Sequence, residues 1–303
     1  MDVVAEVVRS EFVESRHRGS AVRTDPSGDV IWAVGDPDLT IFPRSCNKPF
    51  QVVGMLQADL PLDGKLLALA SSSHSGEDFH LDGVRDILAS AGLTESDLHT
   101  PASYPLSPSV HADWIRRGGG REPVCMDCSG KHAAMLATCV QNGWSVDDYL
   151  DPDHPLQQAI LHTFTEMTGA RPPVVGVDGC GAPLFATSVS RLARAAGALS
   201  SGPGRKLVDA AASWPLYLSG TGRTEVSIME AIPGAFAKSG AEACFITVLP
   251  DGSAIAVKID DGSERAAAPV MARALELAGY DTGLALPPVY GAGRPVGQIQ
   301  PAF

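Results

Sequence analysis

Apolar and polar residues alternate from Val3 to Val8, and two shorter runs, Ala21–Arg23 and Val30–Val34, flank the polar turn Asp25-Pro26-Ser27-Gly28-Asp29. A period of two bounded by Asp, Pro, Ser and Gly is hairpin chemistry, so the chain opens on antiparallel strands. The pattern then changes to the helical period. A helix begins near Ser45 and runs through KPFQVVGMLQAD, with Pro49 in the first turn, where its missing N–H is not needed. The apolar run KLLALA leads into the polar knot Ser71-Ser72-Ser73-His74-Ser75-Gly76-Glu77, and an amphipathic helix follows from Asp78 to Ala91. Residues 101–124, rich in Pro, Gly and Ser, read as an ordered loop. Helical patterns return at 129–142, 155–168, 185–197 and 204–213. Near the end, ACFITVLP and SAIAVKID flank the turn Asp251-Gly252 as a second hairpin, and a long helix covers 264–278.

Strands at both ends with helices between them imply an α/β (α+β) fold, in which the chain ends form one antiparallel sheet and the middle forms a helical lobe. No linker or repeat divides the sequence, so residues 1–303 are expected to be a single catalytic unit. Its sheet lobe would take about 1–70 and 220–303, and its mainly helical lobe about 71–219.

Composition narrows the function. Lys+Arg 23 against Asp+Glu 35 leaves a net charge of −12, the wrong sign for a nucleic-acid or anionic-membrane partner. The N-terminus lacks the basic start and apolar stretch of a signal peptide, and no apolar run is long enough to span a bilayer, so a cytoplasmic protein is expected. Six cysteines are too sparse over this length for a disulfide scaffold; they are thiols or metal ligands. Only six of the 23 basic residues are lysines, which makes each of Lys48, Lys65, Lys131, Lys206, Lys238 and Lys258 worth examining.

Four constellations can carry chemistry, and each has a plainer reading. Ser45 and Lys48, three apart at a helix start, share a face, so a desolvated amine can take the serine proton; the alternative is an N-cap serine before a solvated lysine. The knot around Ser73 and His74 is either a site wall or a cap for the next helix, with Ser75 at the N-cap. Cys125 and Cys128 have metal-ligand or redox spacing but form half a zinc site, with Cys180 in a glycine-rich turn as a third soft ligand; otherwise they are small buried apolar residues. Lys258 shares a strand face with Ala254 and Ala256, and either meets solvent or overhangs a cleft.

Taken in order, R-S-x-x-K-P at 44–49, S-H-S-G-E at 73–77, C-S-G-K-H at 128–132, D-G-C at 178–180 and V-K-I-x-D-G at 257–262 resemble the Rhizobium etli-type (class 3) L-asparaginases of the asparaginase II family. The resemblance implies a fold like that of serine β-lactamases and serine-dependent glutaminases, and a homodimer acting on a small molecule, L-asparagine. It implies two Ser-Lys tandems, Ser45 with Lys48 and Ser73 with Lys258; of the two serines Ser45 is taken as nucleophile with Lys48 as its base, and Ser73 is the alternative nucleophile. It further implies a Zn2+ site at Cys128, Lys131 and Cys180, with Arg44, His132 and Asp178 contacting substrate. Two other outcomes remain open. One is a Ser-Lys hydrolase of other specificity, a glutaminase or a β-lactam-reactive protein, although no S-D-N or K-T-G triplet is present. The other is a zinc-stabilised binding module whose serines are helix caps.

Overall fold

The computed structural model describes residues 2–303. Its strands are β1 (Asp2–Arg9), β2 (Phe12–Thr24), β3 (Val30–Val34), β4 (Thr40–Ile41), β5 (Val175–Val177), β6 (Pro183–Phe185), β7 (Thr187–Ser188), β8 (Phe236–Gly240), β9 (Cys244–Val248), β10 (Ala254–Ile259), β11 (Pro288–Gly291) and β12 (Arg294–Pro301). Its helices are α1 (Lys48–Gln57), α2 (Gly64–Ala70), α3 (Asp78–Ser90), α4 (Pro108–Arg116), α5 (Ser129–Asn142), α6 (Pro155–Thr168), α7 (Val189–Ala198), α8 (Gly202–Ser213), α9 (Pro215–Leu218), α10 (Thr224–Ala231) and α11 (Glu264–Leu277).

The chain forms two compact units. The first comprises the N-terminal segment to Cys46, Ala186–Ser200 and Ser227–Phe303; the second comprises Asn47–Phe185 and Ser201–Val226. In the first, one antiparallel sheet runs β11-β12-β1-β2-β10-β9-β8, with β3 also paired to β2. β2 meets β10 in the register Ala254↔Thr24 to Ile259↔Gly19, so the N-terminal and C-terminal hairpins fuse into a single sheet, as the pattern at the chain ends predicts. Helices α7 and α11 pack on β10. All six residues of β10 are buried, including Lys258, so the solvent-facing reading of that lysine is wrong. A strand buried on both faces carries no alternation of burial to read, and the two small alanines mark close packing on Lys258's own face.

In the second unit α1 lies along α6, where Gly54 faces Ile160, and α2 lies along α5. Helices α5 and α6 occupy the residues that periodicity assigns them. Four local expectations fail, the first being the helix at 185–197: Phe185 ends β6, Thr187–Ser188 form β7, and α7 starts only at Val189. Residues 101–124 contain α4, which starts at Pro108 in the tolerated first-turn position. Glu77, not Ser75, is the N-cap residue of α3, because the Ser75 hydroxyl donates to Ser219 O at 3.0 Å. The helix near Ser45 is a 3-10 turn over Arg44–Asn47 that passes into α1 at Lys48.

Candidate active site

In the second unit, Lys48 heads α1 and is 1% exposed. Its Nζ donates to Ser73 Oγ at 2.9 Å, to Ser72 O at 2.5 Å and to Asp127 Oδ2 at 3.4 Å. Three acceptors match the three protons of an ammonium. Burial alone would lower this amine's pKa, but the negative charge of the Cys128–Cys180 pair and of Asp127 outweighs it, and the net direction is upward. Asp127 is a site residue that the sequence reading passed over, although it stands between Cys125 and Cys128. Its main-chain carbonyl also accepts from His74 N at 3.1 Å, tying the serine knot to the start of α5.

The same knot is held from the other side. Ser129 Oγ donates to Val124 O at 2.8 Å, so it accepts from His74 Nε2, also at 2.8 Å. His74 is therefore a neutral ring protonated on Nε2. Burial first, and the His80 ring stacked 5.2 Å away second, hold its pKa well below the usual imidazole range.

Gly130 lets the first turn of α5 sit against α2: a Cβ there would lie 2.6 Å from Leu69 O. Cys128 at the N-cap and Lys131 in that turn lie on one side of the helix, three residues apart. Cys180 comes from the turn after β5, where Asp178 N donates to Ala182 O at 2.9 Å and Gly181 adopts φ 91°. Lys131 Nζ approaches Cys180 Sγ at 3.1 Å, and Cys128, Lys131 and Cys180 are all buried. The Cys128 S–H stabilises the Cys180 thiolate, with Lys131 and His132 beside it, so Cys180 is driven down and Cys128 up. Cys125 is outside this group, and burial pushes its thiol up to about 12. His132 Nδ1 meets the Tyr149 hydroxyl at 2.8 Å, and burial lowers its pKa. Among the described residues no three His, Cys, Asp or Glu side chains form a metal cluster. The set at hand is two thiols with one amine.

In the first unit, half-buried Ser45 follows Arg44, which is left-handed at φ 52°. Arg44 Nη1 lies 3.9 Å from Glu242 Oε1. Lys258 Nζ donates to the main-chain carbonyls of Glu242, at 2.7 Å, and Ile259. The hydrogen bonds thus join Lys48 to Ser73 and Lys258 to Glu242, while Arg44 meets Glu242 only as a 3.9 Å ion pair. No sequence signal marks Glu242.

The sequence matches the L-asparaginase II family over residues 5–301. The chain belongs to the L-asparaginase II family. The wider resemblance read from its motifs therefore has this family at its centre. Among solved structures this asparaginase II member is similar to a β-lactamase from Mycobacterium bovis at 16% identity and a TM-score of 0.43, with 81% of this chain and 88% of that one covered. It is similar to Mglu in its native form at 14% identity and a TM-score of 0.48, covering 88% and 65%. A third is EstCE1, a hydrolase with promiscuous acyltransferase activity, at 12% identity and a TM-score of 0.41, covering 81% and 89%. No curated protein gives a significant match. No helix among the described residues is long and apolar enough to cross a membrane.

Proposed function

We propose that this member of the asparaginase II family hydrolyses the side-chain amide of L-asparagine to L-aspartate and ammonia through a seryl ester. The observation that carries the reading is the buried contact of 2.9 Å between Ser73 Oγ and the Nζ of Lys48, which itself follows Ser45 by three residues. A serine hydroxyl is a weak nucleophile until a positioned base takes its proton, and a lysine in hydrogen-bond reach of a second hydroxyl is a proton relay. Lys48 is an ammonium in the resting site, so it first gives a proton to Asp127; its amine then takes the Ser45 proton as Oγ attacks the amide carbon. The carbon–nitrogen bond then breaks, with the proton delivered through Lys48 and Ser73 to the leaving nitrogen. Water completes the cycle by hydrolysing the ester. Lys258 is the second amine of the site. Asp178 takes the substrate ammonium, and Arg44 the α-carboxylate, with His132 lining the pocket.

Cys128, Lys131 and Cys180 fit zinc. The two soft sulfurs and the amine stand together, Lys131 Nζ is 3.1 Å from Cys180 Sγ, and all three residues are buried. A lysine ligand binds as the free amine, so loading depends on pH. When bound, the ion would supply a fixed positive charge beside the serines. The same reading makes the protein a cytoplasmic homodimer, which sedimentation and cell fractionation test directly.

The test is ammonia release from L-asparagine beside L-glutamine, with Ser45→Ala in parallel. Turnover of asparagine that vanishes in the variant supports the assignment. Turnover that survives Ser45→Ala moves the nucleophile to Ser73, and release from glutamine alone changes the substrate.

A further inference from the structure

The turn joining β8 to β9 is left-handed at two consecutive residues that are not glycine, Glu242 (φ 60°) and Ala243 (φ 52°). A Cβ disfavours this conformation, and Gly, Asn or Asp normally fill such positions. Backbone held in a sparsely populated region persists only where its surroundings over-determine it, and such residues cluster at functional sites. Here both carbonyls are directed at β10. Glu242 O accepts from Lys258 Nζ at 2.7 Å, and Ala243 O accepts from Ile259 N at 3.1 Å.

The Glu242 side chain is 61% exposed and lies across the neighbouring turns. Its carboxylate lies on Gly262, where an added Cβ would come within 2.2 Å of Oε2, and Oε1 faces Arg44 Nη1 at 3.9 Å. Arg44 is left-handed in its turn and leads directly into Ser45. Gly240, at the head of the same turn, packs against this segment: an added Cβ would lie 2.6 Å from Pro43 O and 3.1 Å from Ser45 N. One residue therefore touches both the segment that presents Ser45 and the amine of Lys258.

We infer that Glu242 is a positioning residue of the hydrolytic site, its main-chain carbonyl aiming the Lys258 amine and its carboxylate holding Arg44 and the backbone that presents Ser45. The inference rests on the amidohydrolase reading above for its catalytic meaning. A neutral amine has two N–H bonds and one lone pair. The carbonyls of Glu242 and Ile259 accept two N–H bonds, which leaves the third position on Nζ as the one directed away from the main chain.

Because the carbonyl and the carboxylate act separately, substitutions chosen by backbone preference separate them. Glu242→Gly and Glu242→Asn tolerate the left-handed turn, Glu242→Val opposes it, and Glu242→Gln removes only the charge. Three readouts apply: kcat and KM for amide hydrolysis, thermal melting, and the rate at which an amine-reactive acylating reagent labels Lys258, read by peptide mass spectrometry. Glu242→Val is expected to lower kcat by about tenfold or more with KM little changed, since small misplacements of a reacting group cost that much. It should also label several-fold faster at Lys258. Glu242→Gly, →Asn and →Gln should label at the wild-type rate, with a smaller loss of kcat from the released Arg44. Equal labelling in Glu242→Val and Glu242→Gly, or a Glu242→Val variant with unchanged labelling, overturns the inference. If Glu242→Val does not fold, Ala243→Val against Ala243→Gly poses the same contrast on the same turn. A wild type that hydrolyses no amide would remove the functional reading, while the labelling result would still decide whether the turn holds Lys258.

Discussion

Replacing Gly130 by Ala adds one methyl group at the point where α5 meets α2. The new Cβ would stand 2.6 Å from Leu69 O and 2.9 Å from Leu69 Cγ. The first obstacle is main chain and cannot rotate away, so the start of α5 must retreat by about 0.5–1 Å to reach ordinary van der Waals separation. Overpacking of this kind costs about 1–3 kcal/mol. At about 2.1 cal/mol/K per residue of unfolding entropy, 2 kcal/mol lowers Tm by about 3 °C for a chain of this length. The retreat also carries Lys131 away from Cys180, and if these residues hold zinc as proposed, affinity should fall by about 10- to 100-fold. The assay is a thermal melt together with zinc competition against a chromophoric chelator. Gly120→Ala, where the added Cβ meets nothing within 4 Å, is the control. A Gly130→Ala variant that melts and binds zinc like the control would refute the claim that this glycine sets the position of the Cys-Ser-Gly-Lys turn.

Other expectations follow from the same contacts. Ser73→Ala should reduce kcat by about 100-fold or more, through loss of the relay from Lys48, while circular dichroism stays native; wild-type kcat in that variant would remove Ser73 from the mechanism. His80 is lowered to about 4 by burial, so the native state resists its protonation. Its contribution to stability is full above about pH 6.5 and is lost as pH falls towards 4, at about 1.4 kcal/mol per unit. Urea melts between pH 7 and 4 should show a shallower slope in His80→Asn, and an unchanged slope would count against the buried neutral ring. A strong chelator should strip zinc and activity while leaving the far-ultraviolet spectrum intact; unfolding on chelation would favour a structural metal.

The sequence shows the fold wherever one period dominates a stretch. α5, α6 and the second hairpin have the expected bounds because three or four turns of one pattern outweigh local noise. The hairpin of β1 and β2 leaves no such trace, since Ser10 and Glu11 turn at φ 47° and 67° without the Gly or Asn that announces a tight turn. Strands β8, β11 and β12 are short or mixed in polarity, and their pairing depends on partners far along the chain. The motifs led to Lys48, Ser73, Cys128, Lys131 and Cys180. They did not lead to Glu242, whose role lies in a carbonyl that any residue possesses, or to Asp127, visible only once Lys48 is in place.

The pairing of β2 with β10 also governs how the chain comes off the ribosome. Thr24 waits for Ala254, its neighbour in the sheet, 230 residues downstream. At ordinary translation speeds the β2 edge stands unpaired for roughly 10–50 s, long enough for chaperones or aggregation to compete for it. The segment Asn47–Phe185 has no such delay, since most of the second unit is continuous in sequence and is complete before β10 is made. Helices should therefore be protected before the sheet during synthesis, and truncations short of β10 should retain the former while exposing the apolar N-terminal hairpin.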